Sequence, residues 1–241
     1  MRVFVAGATG YTGREVVAQL RCADHDVVAH VRQDSARLSH WLGHFTRLGA
    51  TVDTTAWQAD AIAETLRKLQ PDVVFALLGT TAKRRRRANH NARDGAAETY
   101  EAVDYGLTVL LLSAAERCGR GPRFVYLSSL GARERAPGAY LRARWRVEAA
   151  LQASSLPWTI ARPSFITGDN RDEPRLGERI GAGLVDAILT ALAAIGVRGP
   201  HARFASLRND ALARGLVHHG LAPESVGQIV EADRLREVAA L

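Results

Sequence analysis

The stretch VFVAGATGYTGREVVAQL, residues 3–20, restricts the fold more than any other part of the chain. An apolar run passes into Gly7, Gly10 and Gly13, and a helical pattern begins at once. Each glycine answers a steric demand. Gly7 allows a tight turn, Gly10 lets backbone approach a pyrophosphate, and Gly13 lets the helix pack close to the strand. The helix start then offers N–H groups and the positive end of its dipole to anionic phosphates. Thr9, Tyr11 and Thr12 are placed to add hydroxyl or backbone donors. A glycine triplet alone says little; at the first strand–helix junction of an alternating α/β chain it marks a dinucleotide site.

The alternation is present. Strand-like runs at 2–6, 26–31, 50–54, 72–78, 123–127 and 157–161 are separated by helical stretches near 11–22, 34–47, 60–69, 95–118 and 140–154. Apolar strands between amphipathic helices predict a parallel sheet covered on both faces. The expected fold is therefore α/β, a doubly wound parallel sheet of the Rossmann type, with ligands at the carboxyl ends of its strands. After Gly168 the pattern loosens into a loop, a long apolar helix at 181–197, a shorter helix around 208–219 and a last strand near 227–231. We read 1–241 as one NAD(P)-binding domain, with 169–241 as a smaller lobe packed on it.

Composition removes several other classes. No apolar run reaches the roughly 20 residues that span a bilayer, and 181–197 carries Asp186 at its middle. No secretory leader precedes the first strand, and Cys22 and Cys118 make no disulfide framework, so a cytoplasmic protein is expected. The net charge is +7, yet it comes from 30 arginines against Lys68 and Lys83 alone. That imbalance reads as compositional bias. The one basic cluster, KRRRR at 83–87, has no interleaved aromatics for stacking bases and reads as a solvated loop, so nucleic acid is not the expected partner. His40 and His44 stand one helical turn apart, but without a third ligand they predict no metal. No Gly-x-Ser-x-Gly elbow supports a hydrolase.

The end of the second strand selects the cofactor. NAD-binding forms place an acid there for the ribose 2′-hydroxyl. Here the tip holds His30 and Arg32, with no acid before Asp34. A guanidinium can pair with a 2′-phosphate and lie on adenine, so NADP(H) is favoured over NAD(H). Asp60, read as the end of a strand, is placed to accept from the adenine amino group. Leu78, Gly79 and Thr80 end the fourth strand beside the expected pyrophosphate and ribose.

Together GATGYTG, LLGTT, VDYGLTVLLLSAAERCG, FVYLSSLGA, YLRARWRVEAAL and IARPSFITGDNRDEPRLGERI, in this order, resemble the short-chain dehydrogenase/reductase superfamily. The chain is most similar to its atypical branch, the Tat-interacting-protein oxidoreductase-like family, over about residues 1–185. The resemblance implies an NADPH-binding fold and a Ser–Tyr–Lys reductase site, and also that some relatives act as cofactor-dependent regulators. Carried onto this chain, Ser129 orients a substrate carbonyl and Tyr140 donates the proton. The family's lysine, one turn beyond the tyrosine, falls on Arg144. Arginine keeps the charge but has a larger planar head and does not release its proton. Arg162, Pro163, Ser164 and Phe165 are expected to line the nicotinamide end, with an ion pair tying the sixth strand to a helix as the structural alternative for Arg162. The expected function is NADP(H)-dependent reduction of a carbonyl or activated double bond of a small molecule; the alternative is an NADP(H)-binding regulator with little or no catalysis. Helices 95–118 and 140–154 offer a possible homodimer bundle.

Overall fold

A computed structural model describes residues 1–79, 99–167 and 206–238. Strands β1 (Arg2–Ala6), β2 (Asp26–His30) and β3 (Thr51–Asp53) alternate with helices α1 (Tyr11–Cys22), α2 (Leu38–Arg47) and α3 (Ala59–Leu69). β4 (Val73–Ala76) follows. A π-helix, Tyr100–Leu107, then runs directly into α4 (Thr108–Glu116). β5 (Arg123–Leu127), α5 (Ala139–Gln152) and β6 (Trp158–Arg162) come next. The short strands β7 (Ile166–Thr167) and β8 (Leu207–Arg208) pair with each other, and α6 (Asn209–Leu221), β9 (Gln228–Glu231) and α7 (Ala232–Glu237) close the described chain.

Seven strands form one parallel sheet in the order β3-β2-β1-β4-β5-β6-β9. Alternation along β1 shows why both faces are covered. Val3 and Val5 face a layer holding Val16, Val17 and Leu20 of α1, Trp41 and Phe45 of α2, and Leu212 and Leu216 of α6. Phe4 and Ala6 face the opposite layer, with Ile62 and Leu66 of α3, Leu111 and Leu112 of α4, and Val147 and Leu151 of α5. All of these are nearly or fully removed from water. The helices form because their apolar residues recur three and four apart, which puts one stripe on the sheet. Strand order reverses between β1 and β4, and a crevice opens there at the carboxyl ends.

Three expectations change. The run WQADAI does not end a strand; Ala59 and Asp60 open α3. The helix at 95–118 is, over its described part, a π-helix joined to an α-helix. The last strand, expected within the smaller lobe, is β9, the seventh strand of the main sheet, hydrogen-bonded beside β6. α6 packs so closely on the sheet that a Cβ at Gly220 would stand 2.6 Å from the Phe75 ring. The predicted helix at 181–197, the basic cluster 83–87 and Thr80 lie outside the described residues. No described helix is long and apolar enough to cross a membrane.

Candidate functional site

The glycine loop is built as its spacing demands. Gly7 has φ +84°, and a Cβ on it would meet the Leu77 carbonyl oxygen at 2.5 Å. A Cβ on Gly13 would lie 2.2 Å from the Gly7 oxygen, so only glycine lets α1 start this close to β1. Gly10 caps α1 without any side-chain hydrogen bond, and its own N–H donates to the Gly7 carbonyl at 2.9 Å. Thr12 is spent differently from the expectation. It is buried, and its hydroxyl donates to Asn209 Oδ1 at 2.9 Å, while Asn209 Nδ2 donates to the Tyr11 carbonyl at 3.0 Å. Asn209, the first residue of α6, thus clasps the first turn of α1.

A cleft of about 560 Å³ opens beside this loop, bounded by the loops after β1, β2, β3 and β4 and by the π-helix. Gly7, Thr9 and Gly10 form its floor at the switch point, and Leu78 and Gly79 form the β4 side. Arg32 lines it with a partly exposed side chain, 3.6 Å from the Asp34 carboxylate, which lines it too. His30 also lines it, with Nε2 2.9 Å from the Thr55 carbonyl oxygen and its ring edge-on to Trp57 at 4.7 Å. Burial holds His30 below the ordinary histidine range, with Thr55 and Asp53 working the other way. Asp60 is not among the lining residues. Its side chain is 93% exposed and pairs with Arg117 at 2.9 Å. Trp57 and Thr55 take the wall expected of it; their sequence signal was an aromatic just beyond the third strand.

This cleft fits the phosphates and adenosine of a dinucleotide. Its floor is the backbone of the glycine loop, where side chains on Gly7 and Gly13 would collide with the Leu77 and Gly7 carbonyls, and the positive end of α1 faces it without a side-chain cap.

Past Gly79 lies the second half of the site. Tyr140, half-buried at the start of α5, packs its ring on Tyr100 at 5.3 Å and under the Arg144 guanidinium at 5.1 Å. The sequence placed Tyr140 and Arg144 on one helical face, and they meet there. Arg144 is 6% exposed. It donates to the Leu127 carbonyl at 2.8 Å and to the Tyr126 hydroxyl at 3.3 Å, and it pairs with Asp104 at 2.8 Å. Asp104 comes from the π-helix, is fully buried, and was not foreseen. A Cβ on Gly79 would come within 2.7 Å of Arg144 Nη2, so this glycine admits the broad guanidinium beside the cleft. Burial pushes the Tyr126 phenol well up, against the pull of Arg144. Burial also opposes the charge on Arg144, but Tyr126, Tyr140 and Asp104 outweigh it and raise its pKa further.

Two serines follow β5. Ser128 is buried and donates to Glu148 of α5, while the partly buried Ser129 turns its hydroxyl toward the Leu130 carbonyl at 3.4 Å. Arg162 is an ion-paired strut. It forks onto Glu148 at 2.9 and 2.5 Å and reaches Glu231 of β9 at 3.3 Å, the structural alternative given for it. Pro163 is buried and accepts from the Leu130 N–H, Ser164 is half-buried, and Phe165 is 48% exposed.

A parallel sheet with a glycine cradle at its reversal point defines a dinucleotide-binding α/β protein. The chain belongs to the NAD(P)H-binding family, whose model matches residues 7–188. A curated relative, Protein FMP52, mitochondrial, of Candida albicans, is 23% identical over 181 residues, covering 75% of this chain and 73% of that protein. A putative NAD-dependent epimerase/dehydratase from Bacillus halodurans superposes with a TM-score of 0.66 at 18% identity, covering 98% of this chain and 99% of the other. A structure from a study of pinoresinol-lariciresinol and phenylcoumaran benzylic ether reductases gives 0.65 at 14% identity, over 98% of this chain and 74% of that one. The cytoplasmic expectation is corrected here: four curated relatives, including the Candida protein, are all named mitochondrial, which points away from the cytoplasm.

Proposed function

We propose that this chain is an NADP(H)-dependent oxidoreductase of the atypical short-chain type, in the Tat-interacting-protein-like branch, reducing a carbonyl or activated double bond of a small molecule. The reading rests on one observation above all: a tyrosine and a buried cation, one helical turn apart, stand just past the end of a dinucleotide cleft. When bound, the nicotinamide supplies hydride. Tyr140 gives the proton to the substrate oxygen, and Ser129 donates a hydrogen bond that orients that oxygen. Arg144 stands in for the usual lysine, stabilising phenolate character on Tyr140. Arg32 meets the 2′-phosphate, supported by its place in the cleft wall and by the lack of an acid before Asp34 at the end of β2.

The test is NADPH consumption over a panel of small aldehydes, ketones and enones, followed at the nicotinamide absorbance band. Tyr140→Phe should lower turnover by about 100-fold or more while cofactor affinity stays within a few-fold, the loss typical of a removed general acid. Full activity in that variant would refute the assignment.

One observation favours the second reading, an NADP(H)-binding regulator. The charge of Arg144 is met by Asp104 before any ligand arrives. Tight NADPH binding with no oxidation across the whole panel would select it.

A further inference from the structure

The Asp104–Arg144 pair separates this site from one with a lone cation beside the tyrosine. Among the described residues, three elements bring charged or titratable groups to it. α5 supplies Tyr140 and Arg144, with Arg146 turned away to Glu101 and to the Tyr105 ring, and Glu148 held by Ser128 and Arg162. β5 supplies Tyr126. The π-helix supplies Asp104 and Tyr100. Tyr126 meets Arg144 as a neutral hydroxyl, because burial pushes its phenol up. Among the described residues, Asp104 is therefore the carboxylate that Arg144 meets, at 2.8 Å.

The electrostatic consequence follows from Coulomb's law. A lone cation over a phenol ring favours the phenolate, typically by about one to three pH units. A cation with a carboxylate in contact presents a dipole, and much of its field at the phenol cancels. Both partners are buried, so water does little to screen that cancellation. Asp104 is also firmly placed. Its carbonyl accepts from the Thr108 hydroxyl at 2.9 Å, and its helix is capped by the Thr99 side chain, which accepts from the Ala102 N–H.

We propose that Asp104 is a positioning residue that sets the acidity of Tyr140 through Arg144, holding the guanidinium at Gly79 and withholding part of its charge from the phenol. This rests on the reading of Tyr140 as the acid–base group of a reductase. The π-helix thus carries a control on the chemistry of α5, and the identity of residue 104 tunes the pH at which Tyr140 gives up its proton.

The experiment is NMR titration of the full chain labelled with 13Cζ-tyrosine, in saturating NADP+. The chain has five tyrosines, and Tyr140→Phe identifies the resonance. Asp104→Asn removes the carboxylate's negative charge and keeps its shape. The midpoint of Tyr140 should fall by about one unit, and the alkaline limb of any turnover profile should move with it. An unchanged or raised midpoint in folded Asp104→Asn protein would overturn the proposal. If that variant does not fold, the comparison becomes Arg144→Lys against Asp104→Asn/Arg144→Lys, where a lower midpoint in the double variant is expected and equal midpoints overturn it. A shifted midpoint in a protein that turns over no substrate would sink the reductase reading and leave the electrostatic assignment standing.

Discussion

At the scale of single residues, two arginines near the cleft are held very differently. Arg144 is buried, fixed and matched to a carboxylate, whereas Arg32 is partly exposed at the cleft wall with Asp34 beside it. The difference makes Arg32 the better probe of cofactor choice. Arg32→Ala should weaken NADP(H) by about ten-fold or more, as for loss of a charge-assisted hydrogen bond, and leave NAD(H) within a few-fold. Calorimetric titration of both cofactors reads this directly, and equal losses would remove Arg32 from 2′-phosphate recognition. The glycines and the Tyr140–Arg144 spacing were legible in the sequence because each shows as a fixed spacing of residue types along a short stretch of chain. Asp60 misled for a related reason. A carboxylate after a predicted strand looks poised for adenine, but in the first turn of α3 it faces solvent and Arg117. Asp104 gave no local signal, because its partner is 40 positions away and meets it only through tertiary packing.

Among the elements, the π-helix and the pair α6–β9 were the parts least readable from pattern. An apolar run at helical period does not say how many residues fill each turn, so 95–118 read as one helix. The strand at 228–231 was visible as a strand, but alternation says nothing about its neighbour in the sheet. β6 settles that, through the register Arg162↔Glu231 and the strut from Arg162 to both Glu148 and Glu231. α6 is fitted as tightly. Gly220→Ala would put a methyl group 2.6 Å from Phe75, and the shift needed to admit it should cost about 1–3 kcal/mol. Urea unfolding followed by circular dichroism checks it; a midpoint equal to that of the parent protein would show that α6 is free to move off the sheet.

For the molecule as a whole, two buried histidines among the described residues contribute a pH dependence. Burial is the main reason that His30 and His219 both lie below their ordinary value. In the unfolded chain they titrate near about 6.5. Below that pH the unfolded chain takes up protons that the folded one resists, so stability is full above it and declines as pH falls toward the folded values. Thermal melts should show a lower midpoint at about pH 5.5 than at about pH 7.5, with a smaller drop in His219→Gln. A drop unchanged by that substitution would assign the effect elsewhere. The overall architecture was readable because a parallel sheet repeats one local unit, whereas the ties that complete it span the sequence. The longest described one has a consequence for biosynthesis. Asn209 must reach back 197 and 198 positions to hold Thr12 and Tyr11. The cradle for the nucleotide thus leaves the ribosome 197 positions ahead of its clasp. A nascent chain stalled anywhere before α6 would carry a phosphate loop without its latch.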